Sequence, residues 1–273
     1  MKALRPRRRA DSSGVTATTA PWGWALTGAL IGLALALLIA APARWLTDAL
    51  TRASGGALLL AEPQGSVWSG SARVVLTGGA GSQDSAALPG RVRWQLSPSL
   101  SGLNVRVNAD CCTRAGPLAL HVSPRWGGAR LRLADGESVW PAALLAGLGT
   151  PWNTIQPQGE LAIATAGMRI EWVSSRMNLQ GHAAITARHL SSRLSTVQPL
   201  GSYRFDLRGG DAVALELTTL EGVLQLTGSG QWSGARLRFS GEARAAEGME
   251  TQLANLLNLM GRRQGGRAII AIG

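Results

Sequence analysis

The sequence predicts a mainly β protein, in which one N-terminal transmembrane helix precedes a large antiparallel β-rich domain with two short helices. Three observations predict this class. A long apolar stretch lies near the N-terminus, and about a dozen later segments alternate apolar with polar residues, which is typical of strands with one solvated face. Hydrophobic residues make up 45% of the chain, so a sizeable core is available. We expect the strands to form a curved sheet or a sandwich.

The first 20 residues predict a cytoplasmic basic tail, because four arginines and one lysine face a single aspartate there. Residues 21–43 carry no charge, and about 20 apolar residues suffice to cross a bilayer. Trp24 lies near one end of this stretch and Trp45 follows the other, where amphipathic rings favour the membrane interface. The stretch therefore predicts a single transmembrane helix.

The orientation of this helix follows from its charged flank. Basic residues stay on the cytoplasmic side, so we expect residues 44–273 to form a periplasmic domain attached to the inner membrane. The small residues Ala41-Pro42-Ala43 are also compatible with a cleaved secretory signal. The apolar stretch is much longer than the 7–15 residues of such a signal, which favours a retained anchor.

Beyond residue 44, alternation with period two predicts strands in two β halves, about 65–139 and 156–273. In one segment Val92, Trp94 and Leu96 oppose polar neighbours. The clearest segments are 91–96, 103–107, 168–173, 203–207, 213–218 and 235–240.

Residues 140–159 separate the two halves, and the two short helices are expected at Pro141–Leu148 and Gly248–Met260. The second of these helices has a stripe of apolar residues at helical spacing. Gly261 follows the stripe and is expected to end the helix as a left-handed cap.

An apolar strand is expected over residues 268–272, where it would complete the sheet. Arg262, Arg263 and Arg267 lie between the helix and this strand. Arginines beside a helix C-terminus can bind its last carbonyl groups, and they can equally pair with carboxylates of a partner. Both uses remain open for Arg262 and Arg263.

No catalytic or cofactor-binding motif is present in the sequence. It lacks a Gly-x-Ser-x-Gly elbow, a phosphate-binding loop and a dinucleotide fingerprint. His121, His182 and His189 lack the His-x-x-x-His spacing of zinc sites, although His182 and His189 are free to meet in space. We therefore expect no enzymatic activity, cofactor, metal or small-molecule substrate.

The net charge of +11 does not predict a nucleic-acid partner. The arginines are spread along alternating positions and are not clustered with aromatic side chains, as nucleic-acid binding would require. Such spacing favours a solvated basic face on a sheet.

Cys111 and Cys112 are adjacent, which is unusual. Neighbouring Cα atoms lie about 3.8 Å apart across a trans peptide, below the usual disulfide range of about 4.4–6.8 Å. A strained clip in a turn, an intermolecular link and a pair of thiols all remain open, and we expect a structural or incidental role.

Trp68-Ser69-Gly70 recurs as Trp232-Ser233-Gly234, and a turn between strands explains the echo more simply than a duplicated unit. Tryptophans and glycines at such turns, together with the C-terminal arginines, are candidates for partner contacts or structural roles. These candidates are Trp68, Gly70, Trp152, Arg262, Arg263 and Arg267.

Four stretches resemble a known family. They are the junction APARWL (41–46), GSVWSGSA (65–72), PWNTIQPQGEL (151–161) and LNLMGRRQGGRAIIAIG (257–273). Together they resemble the type II secretion system protein N family over nearly the whole chain. The resemblance implies a bitopic inner-membrane protein that helps to export folded proteins across the outer membrane, with no catalytic residues or cofactor. Its implied partners are other inner-membrane subunits, with the outer-membrane secretin as a further candidate.

A second function class remains open beside this resemblance. A long antiparallel sheet with one apolar face can stay partly open as a groove that binds lipids or other hydrophobes. The alternating residues suit a closed core equally well, and exposed apolar area is usually limited to a few hundred Å².

Overall fold

The computed structural model describes residues 22–173, 176–233 and 236–272, and the chain divides into two compact units, residues 1–40 and 41–273. The basic tail expected over residues 1–20 lies outside the described residues. The first unit contains helix α1 (Trp22–Ile39), whose residues are all exposed. Within the described ranges, α1 is the one helix that is long and apolar enough to cross a membrane.

The second unit is mainly antiparallel β, as predicted. Its first strands are β1 (Leu58–Gly65), β2 (Ser69–Thr77), β3 (Ser85–Ala87), β4 (Val92–Ser99), β5 (Gly102–Ala109), β6 (Leu118–Arg125), β7 (Gly128–Leu133) and β8 (Gly136–Pro141). The later strands are β9 (Pro157–Val173), β10 (Arg176–Ser192), β11 (Gly201–Arg208), β12 (Val213–Gly222), β13 (Leu224–Ser233), β14 (Arg236–Ala245), β15 (Arg262–Gln264) and β16 (Arg267–Ile272). The short helices are α2 (Ala43–Ala53), a 3-10 helix (Ala142–Leu148), α3 (Trp152–Ile155) and α4 (Glu250–Met260).

The sixteen strands of the described residues belong to one hydrogen-bonded sheet. Its order is β1-β2-β4-β5-β6-β7-β9-β10-β11-β12-β13-β14-β16-β15, with β3 added to β2 and β8 added to β9. Successive strands are therefore neighbours almost throughout, which is the simplest antiparallel connection. The pairing of β7 with β9 joins the two β halves in this sheet.

The register places the apolar residues of neighbouring strands on one face. Such cross-strand pairs stabilise a sheet because their side chains lie close together. The central part of this apolar face is formed by the pairs Trp94↔Val107, Val105↔Leu120, Leu120↔Leu133, Leu131↔Ile170 and Ile170↔Leu179. The predicted segments lie in these and the later strands, apart from residue 235, which is outside the described residues.

Short helices cover separate parts of the apolar face. Helix α2 buries Ala43 against Ala72 and Trp94, and the 3-10 helix packs around Leu144. Helix α4 carries the predicted apolar stripe, and its Leu253 and Leu257 are almost fully buried in the largest cluster. Both expected short helices are present, and α2 and α3 are additional.

The expected left-handed cap at Gly261 is wrong. Gly261 has a φ of 175°, which is extended backbone. A Cβ on this residue would overlap the carbonyl oxygen of Ile269 on β16. Helix α4 runs directly into β15, so a glycine here permits the close approach of two strands.

Candidate functional site

An apolar cleft lies between α3, α4 and the strands β15 and β16. Its volume is about 950 Å³. Pro151, Trp152 and Ile155 form one wall, and Leu256 and Leu259 belong to the facing helix. The cleft therefore brings the linker between the two β halves next to the C-terminal helix.

Two large apolar side chains are exposed at this cleft. Leu259 is 62% exposed and Trp152 is 38% exposed, whereas Leu256, one turn before Leu259, is buried at 4%. The helix thus directs Leu253, Leu256 and Leu257 into the core and leaves Leu259 accessible. An exposed leucine beside an exposed tryptophan is suited to receive an apolar side chain of another molecule.

The three candidate arginines have different surroundings. Arg262 lines the cleft and is exposed on β15, and no ion pair or hydrogen bond of its side chain is present in the described part of the chain. Arg263 donates from Nε to the carbonyl oxygen of Gly265 at 3.3 Å and from Nη1 to Asn258 Oδ1 at 3.4 Å. Arg267 pairs with Glu242 at 3.3 Å. Arg262 is thus the arginine most available to a carboxylate, and Arg263 reaches the helix through a side chain.

Trp68 and Gly70 lie away from the cleft, at the connection between β1 and β2. Trp68 is half-buried, and its carbonyl oxygen accepts a hydrogen bond from Leu96 N. Gly70 pairs with Trp94, which is buried at 5% exposure. The structure separates these two candidates from Trp152 and Arg262, which share the cleft. The repeated Trp-Ser-Gly tripeptide ends at Gly234, which lies outside the described residues.

Replacing Gly70 with alanine is expected to destabilise the domain by about 1–3 kcal/mol, as overpacking does. A Cβ at Gly70 would lie 2.5 Å from Trp94 Cζ2 and 2.7 Å from the Gln64 carbonyl oxygen. The indole cannot easily retreat, because its Nε1 donates to the Val67 carbonyl oxygen at 3.0 Å. Thermal unfolding followed by circular dichroism measures the loss. Gly136→Ala is the control, since no atom lies within 4 Å of its Cβ position, and equal melting of the two variants would contradict this role.

Cys111 and Cys112 form a disulfide in the turn that follows β5, with their Cα atoms 3.7 Å apart. Cys112 is 2% exposed and packs with Leu88 and Leu144. Of the arrangements that the sequence left open, the structure contains the clip within one turn. Its buried position beside the 3-10 helix is consistent with a structural role.

A group of three ionisable side chains, those of Asp206, Arg204 and His182, lies on the polar face of the sheet. Asp206 accepts hydrogen bonds from Arg204 Nε at 2.8 Å and from His182 Nε2 at 2.9 Å. The Arg204 guanidinium lowers the pKa of Asp206 most strongly, against the opposing effect of burial, and His182 lowers it further. His182 and His189 do not meet, because both lie on β10, seven residues and roughly 20 Å apart.

Asp206→Asn is expected to lower the melting temperature at pH 7 and to make the remaining stability less sensitive to acid. Because the pKa of Asp206 is lowered in the folded state, its contribution is complete above the ordinary value of 3.8 and is lost as the pH falls through the lower folded value. Hydrogen bonds to a charged group contribute about 1.5–3 kcal/mol. Melting curves of the unmodified protein and of the Asp206→Asn variant between pH 7 and pH 3 test this. A difference in melting temperature that stays constant over this range would contradict it.

Within residues 22–173, 176–233 and 236–272, no group of three His, Cys, Asp or Glu residues is placed to hold a metal ion.

Of the comparisons with known proteins, the one with family models finds a match. A family model described as type II secretion system (T2SS), protein N, matches residues 56–270. No curated protein and no solved structure matches the chain. The matched range begins just before β1 and ends within β16, so it spans nearly the whole sheet.

The sequence pointed to Trp152 and Arg262 but missed the residues that complete their cleft. Ile155, Leu256 and Leu259 reach it only through the folding of the linker against α4. The one signal for Leu259 is its position outside the helical stripe, which leaves a leucine on the accessible side of a helix.

Proposed function

Because the chain belongs to the type II secretion system protein N family, we propose that it is a non-catalytic inner-membrane subunit of the type II secretion apparatus. Involvement in type II secretion follows from the family itself. The observation that carries the finer proposal is an exposed apolar cleft on a β-domain that follows a candidate membrane anchor. In this function the domain contacts other secretion components during export of folded proteins.

The proposed topology is that of a single-pass protein. Residues 1–20 form the cytoplasmic tail, residues 21–43 contain the membrane helix, and residues 44–273 form the periplasmic domain. The apolar helix α1 and the basic residues before it support this orientation. This topology would hold the β-domain close to the other inner-membrane subunits.

The proposed contact site is the cleft that contains Trp152 and Leu259. Its occupant is an extended segment of another inner-membrane subunit, which inserts an apolar side chain and presents a carboxylate to Arg262. Strand β15 supports this mode, because it is the last strand in the sheet order and borders the cleft. An edge strand has free main-chain groups that an added strand can pair with.

Purification of the full chain from membranes in mild detergent tests membership of the apparatus. We expect mass spectrometry to find other inner-membrane secretion subunits enriched over abundant unrelated membrane proteins. The same subunits should be lost when the cells lack the secretion apparatus. Recovery of the intact chain with no secretion subunit would contradict the proposal.

A second candidate function is the binding of lipid on the apolar face. The observation that favours it is that Leu103, Val105, Leu120, Val122 and Leu131 are only half-buried in the middle of the sheet. An open apolar face of this kind can hold acyl chains. Lipid extraction of the detergent-purified chain, with bound phospholipid measured after exchange into a lipid-free detergent, tests this. Stoichiometric retained lipid favours the groove, and none argues for a closed core.

A further inference from the structure

Four large apolar side chains are exposed at one end of the sheet, where neighbouring hairpins turn. Leu100, at the turn between β4 and β5, and Trp126, at the turn between β6 and β7, are fully exposed. Trp172, near the end of β9, is 52% exposed. Trp45, in the first turn of α2, is 49% exposed. We call these four residues the tryptophan edge.

The strand register places these turns at the same end of the strands. Ser99 pairs with Gly102, Arg125 pairs with Gly128, and β7 in turn pairs Gly128 with Val173. The turns therefore follow one another across neighbouring strands. From β2 to β10 the edge spans six inter-strand steps of about 4.8 Å, or roughly 30 Å.

The position where the chain enters this unit lies at the same edge. Pro42 forms an isolated bridge with Ser66, and Val67 N donates to the Ala41 carbonyl oxygen. Ser66 and Val67 belong to the turn between β1 and β2, and Ser69 at the start of β2 pairs with Gln95, towards the Leu100 end of β4. Ala41, the first residue after the helical unit, is thus beside the tryptophan edge.

The composition of this edge matches a membrane surface. Arg44 precedes Trp45 and Arg125 precedes Trp126, and both arginines are exposed. Neither has an ion pair in the part of the chain that the structure describes. Tryptophans with basic neighbours are favoured at the boundary between headgroups and acyl chains, where positive charge attracts anionic lipid.

We propose that the tryptophan edge rests on the anionic phospholipid surface of the membrane that holds the anchor. Leu100 and Trp126 reach into the headgroup region, and Arg44 and Arg125 bind lipid phosphates. The contact adds to the anchor and orients the domain, so that the cleft beside α4, near the opposite ends of the strands, faces away from the bilayer. This inference rests on the proposed membrane anchor and goes beyond it.

The test uses the full chain in vesicles of phosphatidylethanolamine and phosphatidylglycerol. A fluorophore is attached to Trp126→Cys or Leu100→Cys, and quenching by a nitroxide carried near the lipid headgroup is measured. Both positions are fully exposed, so folding is preserved, and the native cysteines are joined to each other. Glu247→Cys, exposed near the other end of the strands, is the control.

We expect the lipid-borne nitroxide to quench the two edge labels at least threefold more than the control label. Arg125→Glu, or vesicles of phosphatidylcholine alone, should reduce the difference. Equal quenching at all three positions would overturn the proposal. It would also be overturned if the fluorescence of the two edge labels changed only when unlabelled copies of the chain were added. Resistance to alkaline carbonate extraction reports the anchor independently, so a failed contact is distinguishable from a failed anchor.

Discussion

A chain that lacks residues 261–273 is expected to lose the folded state around α4, with a cost of at least about 5 kcal/mol. This is comparable to the total stability of many domains. Strand β16 pairs with β14 along six residue pairs and also holds β15. Ala268 on this strand is fully buried, and Ile270 packs against the largest hydrophobic cluster. The deletion would expose the underside of α4 and leave β14 as an open edge.

Thermal unfolding and limited proteolysis of the detergent-purified chain measure this effect. A milder variant, Ala268→Asp, introduces a charge at a fully buried position and should act in the same direction. Gly266→Ala is the matched control in the same segment, because no atom lies within 4 Å of its Cβ position. Unchanged melting after the deletion would show that β16 is not part of the packed sheet.

Leu259→Lys is expected to reduce secretion at least tenfold while the melting temperature stays within about 2 °C. Leu259 is 62% exposed, so its replacement removes little buried area from the domain itself. Lysine is a good helix former and carries a charge that is favourable near a helix C-terminus. In the cleft, however, the same charge would meet the apolar side chain of the proposed partner. Secretion is measured as the fraction of an exported enzyme found outside the cells.

Leu220→Lys is the control for this variant. Leu220 is 54% exposed on β12, so it has similar exposure and the same change in charge, but it does not line the cleft. Normal secretion by the Leu259 variant, or an equal loss in both variants, would contradict a role for the cleft.

Much of the fold could be predicted from the sequence because its signals are local. Alternation in the segment that contains Trp94, and in the later ones, reflects the period of a strand and needs no knowledge of its neighbours. The apolar stripe of α4 is equally local, and it is buried as expected. The strand after Arg267 was also predicted, and the structure shows it paired on both sides.

The features that sequence reasoning missed depend on contacts between distant segments. The predicted membrane stretch runs to Ala43, but α1 ends at Ile39 and a separate helix, α2, begins at Ala43 after Pro42. Gly261 is needed because Ile269 approaches it from another strand, which no local cap pattern reveals. The cleft, likewise, is lined by Trp152 and Leu259, which are more than a hundred residues apart in the chain.

Photo-crosslinking in cells tests the central claim most directly. A photoreactive benzoylphenylalanine replaces Trp152 in the full chain, and Ser229, exposed on the polar face of β13, is the control position. The account predicts that position 152 forms a defined adduct with another inner-membrane secretion subunit and that position 229 does not. If position 152 formed no such adduct while the protein was folded and secretion was active, the cleft would not be the docking site.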